Sequence, residues 1–559
     1  MNTIAKARLV VFTLLVGTVL PLGCSSSGGN TSAGGAIGTG GTSALGGSSN
    51  RDASLPGGNA ETGGTPATGG TVRTGGTTVA AGGTAQTGGV PVTGGTTKAG
   101  GATASGGTTA TGGSTSTIDG GASTTGFVTI HNDFFWYDTD GNLINVRSGA
   151  LRKFGDLYYW YGGAQNDHNQ TCYSSPDLVH WTYKGIVLTT TGDANRMDIL
   201  YNATTKQYVI FLKYIGNSAY LGIATGSTPD GKFTFLSQTL VDNVFIGDMS
   251  MFQDDDGQAY LAYVSWETGP NREHGIYQMS ADYLTLNKRM FYWNIPSREA
   301  PHIFKRDGTY YYGVSETNGI QPSPTRYYTA TDLTGPWSGE TIMSTPGSTV
   351  TFETQCDFVF PFAGTQGTVY MFDGDRWIPT GGFQGDYLWL PYEFGTAGLM
   401  PSMNYYQDWD LNAGAGIWRE FDRATRDLAL GKTATASSQT GTNVAAGVTT
   451  ATTYQTYTNF RWESAAADPQ WIMVDLGSAM EIDRVVLKWY TDYGKAFKIQ
   501  TSTDSTTWTD VYSTTTGASY SVTDVTFAKT SARYVRMNGT QRGNQNGYSL
   551  FAFMVLDDP

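Results

Sequence analysis

Cysteine, histidine and positive charge are the scarce ingredients of this chain. Three cysteines in 559 residues are too few for a disulfide framework. Apart from Cys24, only Cys172 and Cys356 remain; one bond between them is allowed, and two buried thiols are the expected state. His131, His168, His180, His274 and His302 are scattered without metal-ligand spacing. Each is therefore read as structural or as a sugar hydrogen-bond donor, and no metal site is expected. Lys and Arg number 34 against 47 Asp and Glu, a net charge of -13. With no basic stripe to neutralise phosphates, nucleic acid and anionic membrane surfaces are excluded as partners. Beyond residue 22 no stretch approaches the ~20 consecutive apolar residues that cross a bilayer, so any membrane attachment would be through lipid.

What the chain does contain is ordered in four parts. Residues 1–24 read as an export signal, with Lys6 and Arg8 ahead of an apolar run from Leu9 to Leu22. Its end, Leu20-Pro21-Leu22-Gly23-Cys24, resembles the bacterial lipoprotein box, which implies a lipid on Cys24 and a place in the cell envelope. A plain secretory signal is the alternative. Residues 25–125 repeat Thr-Gly-Gly and Ala-Gly-Gly with almost no large apolar side chain. Such a segment cannot bury enough surface to offset its ordering entropy and is expected to be a disordered tether, with a mean span on the order of 55 Å.

From about Phe127 short alternating strands replace the repeats. A turn followed by tyrosine recurs as Gly155-Asp156-Leu157-Tyr158, Thr205-Lys206-Gln207-Tyr208, Asp256-Gly257-Gln258-Ala259-Tyr260, Asp307-Gly308-Thr309-Tyr310 and Gly367-Thr368-Val369-Tyr370. Spacing of about 50 residues is that of a four-stranded propeller blade, and five units over 126–425 predict five blades. A second turn signature, Ser175-Pro176-Asp177, Ser280-Ala281-Asp282 and Thr331-Asp332, is assigned to outer-strand turns of blades I, III and IV. No helical periodicity competes, so the body is expected to be all-β. Aromatic residues make up 13% of the chain; their flat apolar faces and polar edges suit sugar rings.

Innermost strands converge on a central funnel, where acids at a fixed offset before the hairpins would meet. Asp248, in Gly247-Asp248-Met249-Ser250, and Glu299, in Glu299-Ala300-Pro301, hold such positions in blades III and IV; Asp254, Asp255 and Asp256 are read as turn residues. With these motifs the chain resembles glycoside hydrolase family 43, five-bladed propellers that cleave glycosidic bonds with inversion. It is most similar to the exo-β-1,3-galactanase branch, through Asp138-Thr139-Asp140-Gly141-Asn142, Gly374-Asp375-Arg376-Trp377 and Tyr387-Leu388-Trp389-Leu390-Pro391. The resemblance implies that Glu299 is the general acid and Asp248 the modulator of its pKa, and it places Arg196, Asn195, Asp375 and Trp377 at the substrate. Where most of the family carries a base, this chain has Arg147-Ser148-Gly149-Ala150. By similarity to the galactanase branch Gln355 takes that role, as base or as water-positioning group, and an amide accepts protons poorly. Strand alternation would put Glu353, Gln355 and Asp357 on one face, so either carboxylate is an alternative base. Asn195 stands where that branch has a sugar-contacting Glu, which leaves an α-L-arabinofuranosidase activity open.

Residues 428–559 alternate apolar and polar positions between turn clusters, the pattern of a β-sandwich. Gln470-Trp471-Ile472-Met473-Val474-Asp475-Leu476-Gly477 and Ala532-Arg533-Tyr534-Val535-Arg536 resemble the discoidin-type domains shared with carbohydrate-binding module family 32. Trp471, Trp489 and Trp508 are assigned to the core; Tyr454, Tyr457, Phe460 and Tyr493 are candidates for a stacking face. No cofactor is required by this reading; a structural calcium is allowed in either folded part, though no spacing demands it. The expected function is an exported exo-glycosidase acting on galactose- or arabinose-containing polysaccharide. Its rival is a surface glycan-binding protein with a catalytically inactive propeller.

Overall fold

The computed structural model describes residues 126–558 apart from 164–166, 216–217, 267–271, 318, 320, 377–385, 396–399 and 451–459. The leader with Cys24, the tether, Trp377, Tyr454 and Tyr457 lie outside the described residues. All five tyrosine hairpins form where turn chemistry placed them. Gly257 and Gly308 sit at φ 82° and 76°, the left-handed region that glycine enters without penalty; in the second hairpin Lys206 takes φ 57° instead.

Each hairpin joins the first two strands of a blade. The innermost strands are Ala150–Phe154 in blade I, the last part of Thr182–Asn202 in blade II, Ile246–Gln253 in blade III, Arg298–Arg306 in blade IV and Gln355–Ala363 in blade V. They touch in ring order, and blade V returns to blade I, so the sheet set closes. The outer-turn motifs fall between third and fourth strands as expected. Ser175 Oγ accepts from the Leu178 N–H at 2.8 Å and Asp177 Oδ1 from the His180 N–H at 2.9 Å, the local bonds that make Ser and Asp turn formers.

Two details depart from four separate strands per blade. Thr182–Asn202 runs unbroken, pairing with Asp167–Ser175 on one side and Gln207–Ile215 on the other. It serves blades I and II together, because no Pro or Asp-Gly interrupts it. Blade V carries three strands, Gln355–Ala363, Thr368–Asp375 and Tyr387–Pro391, among the described residues. Beside it, Val128–His131 pairs with Asp408–Asn412, and the Asn132 side chain accepts from Trp389 N at 2.9 Å and donates to Trp389 O at 2.8 Å. Trp160, Trp181, Trp389 and Trp409 are fully buried around this seam, each stabilising it by roughly 3 kcal/mol. Both free thiols, Cys172 and Cys356, are buried.

The C-terminal residues form a discoidin-like sandwich built on two long strands, Gln470–Trp489 and Val522–Arg542. Of the three tryptophans assigned to its core, only Trp489 is fully buried. Trp471 is out of phase with Ile472, Val474 and Leu476 and lies half-buried on the outward face. Trp508 precedes Thr509–Thr514 in a turn, where the Arg536 guanidinium stacks 3.9 Å above its ring. Trp462 fills the core instead. Phe460 is 42% exposed, and Tyr493 packs partly against the core.

Candidate active site

The strand entrances of blades II to V bring charged side chains into one cluster. In blade IV the pairing steps from Glu299↔Ser315 to His302↔Gly313, a bulge in which Ala300 adopts φ 52° and Pro301 has no N–H to offer. The Ala300 N–H, released from the ladder, donates to Asp248 Oδ2 at 3.1 Å. The two acids expected to meet are thus joined across the blade III–IV boundary through the residue after Glu299. In blade II a second bulge, between Asn195 and Asp198, turns Arg196 inward at φ 50°.

Arg196 is the hub. Its Nε lies 3.4 Å from Asp248 Oδ1, one terminal nitrogen donates to Gln355 Oε1 at 3.0 Å and the other to Asp357 Oδ1 at 2.6 Å. Gln355 Nε2 donates to Glu299 Oε1 at 2.8 Å and to Ser315 Oγ at 3.2 Å. Lys213 Nζ stands 3.5 Å from Asp248 Oδ1, and Arg272 lies 3.5 Å from Glu299 Oε2. All of these side chains are buried.

Their environments separate the two acids. Burial, and then the charge of Asp248, push the Glu299 carboxyl above its ordinary value; Arg196, Arg272 and the Gln355 hydrogen bond oppose this only partly. Burial works against ionisation of Asp248 too, yet Arg196, Lys213 and Arg272 hold it down to about 2. One carboxyl is poised to keep a proton while its neighbour stays charged, the division that general-acid chemistry needs. Gln355 donates to Oε1 at 2.8 Å and Arg272 approaches Oε2 more loosely, at 3.5 Å.

The remaining expected site residues take distinct places. Asp375, wholly buried, accepts the Ser148 N–H at 2.9 Å, so a carboxylate from blade V reaches the segment of blade I that has no acid of its own. Burial and then Asp375 push Asp357 well above the carboxylate range. Asp357 Oδ2 and Asp375 Oδ1 have no hydrogen-bond partner among the described residues. Asn195 is half-buried, with Oδ1 unpartnered among the described residues. Gln355 and Asp357 both reach Arg196, but Glu353 does not join them. It sits at φ 66° in the turn Thr351–Glu353 ahead of the strand, so strand alternation never applied to it. Trp377 is outside the described residues.

Residues 149–379 match glycosyl hydrolases family 43. The propeller is a family 43 domain. Residues 447–537 match the NedA-like, galactose-binding domain. A β-D-galactofuranosidase of Aspergillus niger is 28% identical over 248 residues, 39% of this chain and 68% of the relative. Among solved structures, an exo-β-1,3-galactanase from Phanerochaete chrysosporium with galactose is 23% identical and covers 77% of this chain and 100% of its own, with a TM-score of 0.49. An exo-β-1,3-galactanase from Clostridium thermocellum has the same identity, coverages and TM-score. The match over residues 149–379 makes that domain a glycoside hydrolase of an inverting family.

Two cations of the family 43 domain escaped the sequence reading. Lys213 is a lone charge in the apolar strand Gln207–Ile215, a signal that could have drawn notice, since buried charge is kept where it has a partner. Arg272 precedes Glu273–Met279 and follows no pattern. Among the described residues no group of three or more His, Cys, Asp and Glu has metal-holding geometry.

Proposed function

We propose that this chain releases terminal galactose from galactose-containing glycans with inversion, using Glu299 as the general acid and Asp248 as the charge that keeps it protonated. The carrying observation is the Glu299–Asp248 arrangement: two buried carboxyls on neighbouring inner strands, driven apart in acidity by shared cations. Glu299 protonates the leaving oxygen while water attacks the anomeric carbon from the opposite face. Gln355 holds Glu299 through Oε1. For its amide to orient that water as well, Nε2 must leave Glu299 once substrate supplies the acid with a new partner. Asp357 is already engaged by the Arg196 guanidinium at 2.6 Å, which leaves it less free than Gln355 to face an attacking water.

Galactose is favoured by the name of the 28% identical relative and by the galactose-binding family matched at 447–537. Exo action is supported by the burial of the cluster, since a chain end reaches buried groups more easily than a chain interior. This reading includes export by residues 1–24 and lipid attachment at Cys24, with the Gly/Thr-rich segment as spacer.

Incubation with β-1,3-galactan, arabinogalactan and aryl β-galactofuranoside, with the anomer of the released sugar read by NMR, tests the activity. Glu299→Gln is expected to reduce turnover by about 10²–10⁴-fold while glycan affinity stays. Undiminished turnover in that variant removes Glu299 from the acid role, and a retained anomer refutes the mechanism.

A further inference from the structure

At the entrance of blade III two large aromatic side chains are left uncovered. Phe245 precedes the strand Ile246–Gln253, Trp266 follows Ala259–Ser265, and the Trp266 N–H donates to Phe245 O at 2.7 Å. They are 38% and 48% exposed. Single exposed aromatics are ordinary. These two are pinned side by side, and with Ile215, Ser218 and Ala219 of blade II they line a hollow of about 170 Å³. That volume would otherwise hold roughly five waters, the scale of one sugar ring.

The hollow is tied to the acid pair by one side chain. Lys213 places Nζ 4.5 Å above the Trp266 ring and 3.5 Å from Asp248 Oδ1, so the ammonium group that helps keep Asp248 ionised also fixes the indole. Ile215 continues into a wider trough of about 510 Å³ with His168, Asp193, Tyr214 and Gln238. An apolar step beside the charged cluster therefore gives way to a polar channel over blade II.

We propose that Trp266 and Phe245 form an outer sugar subsite that stacks on the glycan unit next to the one released, the rest of the chain running out over the Tyr214 trough. The proposal rests on the glycosidase reading above. The Trp266 indole, covered on one side by Lys213, offers its open face to the apolar face of a sugar ring, and Phe245, set edge-to-face against Tyr220, walls the hollow beside it. The occupant is part of the substrate, so the subsite sets a preference for chain length and leaves bond cleavage to Glu299.

The test is a length series, galacto-oligosaccharides of two to five units, with kcat/KM for each compared with that for galactosyl fluoride, whose leaving group puts no ring in the subsite. The wild type is expected to favour the longer members. Trp266→Ala should lower the ratio of oligosaccharide to galactosyl-fluoride kcat/KM roughly three- to tenfold, Phe245→Ala less, and Trp266→Phe, which keeps a stacking face, should restore most of it. A ratio unchanged in Trp266→Ala, or an equal loss on both substrate kinds, overturns the subsite while the glycosidase reading stands. A wild type that cleaves none of these glycosides brings down both.

Discussion

Asp248 acts on Glu299 both by its charge and through the Ala300 N–H that it accepts, and the two contributions are separable. An Asp248→Asn side chain keeps the size of the carboxylate and an oxygen for the Ala300 N–H, but it removes the anion that helps raise the Glu299 carboxyl. It also leaves Arg196, Lys213 and Arg272 without the charge they share. Both changes favour ionised Glu299, so its pKa falls. A general acid works below its pKa and is lost as pH rises through it. The alkaline limb of the kcat profile should therefore move toward acid in Asp248→Asn, with roughly tenfold lower kcat at neutral pH. An alkaline limb that stays in place would show that Asp248 holds substrate without tuning the acid.

The bulge carrying Glu299 is backed by an element with no spare volume. Opposite His302 in the blade IV ladder stands Gly313. A Cβ there would lie 2.1 Å from His302 Nε2 and 2.6 Å from Tyr327 Cε1. His302 is itself held by the Tyr327 hydroxyl at 3.0 Å and lies 3.6 Å from Cys356 Sγ, so its ring cannot swing aside. Gly313→Ala should cost about 1–3 kcal/mol, read as a lower denaturant midpoint; a loss near zero would mean that the ring has another place to go. Nothing in Tyr312-Gly313-Val314 announces this, since the constraint comes from a partner strand. The hairpins were legible because their turn residues repeat at a fixed distance from tyrosine, and Glu299 and Asp248 because they share an offset from those hairpins. The shared strand Thr182–Asn202 was hidden by the lack of a turn signal and Arg272 by following no pattern, whereas Lys213 stood out as a lone charge in an apolar strand but its partner Asp248 lies on another blade. The phase of Trp471 against Ile472, Val474 and Leu476 was readable, whereas the turn that removes Glu353 from its strand depends on three successive residues with positive φ, 351–353.

Propeller and sandwich are joined by ion pairs across their boundary, so the galactose-binding family domain is fixed against the hydrolase domain. Arg484 of the sandwich donates to Thr129 Oγ1 at 2.7 Å and to Asp558 Oδ2 at 2.6 Å and pairs with Asp524. Lys488 reaches Asp408 Oδ2 at 2.6 Å, and Arg426 bridges Asp410 and Asp558 at 2.6 and 2.7 Å. At the centre His131 sets Nδ1 2.6 Å from Asp408 Oδ1 of the propeller and Nε2 3.0 Å from Asp524 Oδ2 of the sandwich. Neutral imidazole donates through one nitrogen only, so two carboxylate partners require the cation. Burial opposes that charge, but the hydrogen bonds and charges of Asp408 and Asp524 outweigh it and raise the pKa of His131 above 6.5. A raised folded-state pKa gives stability that is fully present below the unfolded value, about 6.5, and is lost as pH rises through the folded one. Comparing His131→Asn with the wild type should therefore show a deficit of about 2 kcal/mol at pH 6 that narrows toward pH 9. Chemical denaturation at several pH values measures it. A gap that is constant with pH, or that widens as pH rises, would mean that His131 joins the domains as a neutral spacer and that Lys488 and Arg484 alone carry the electrostatic part of the junction.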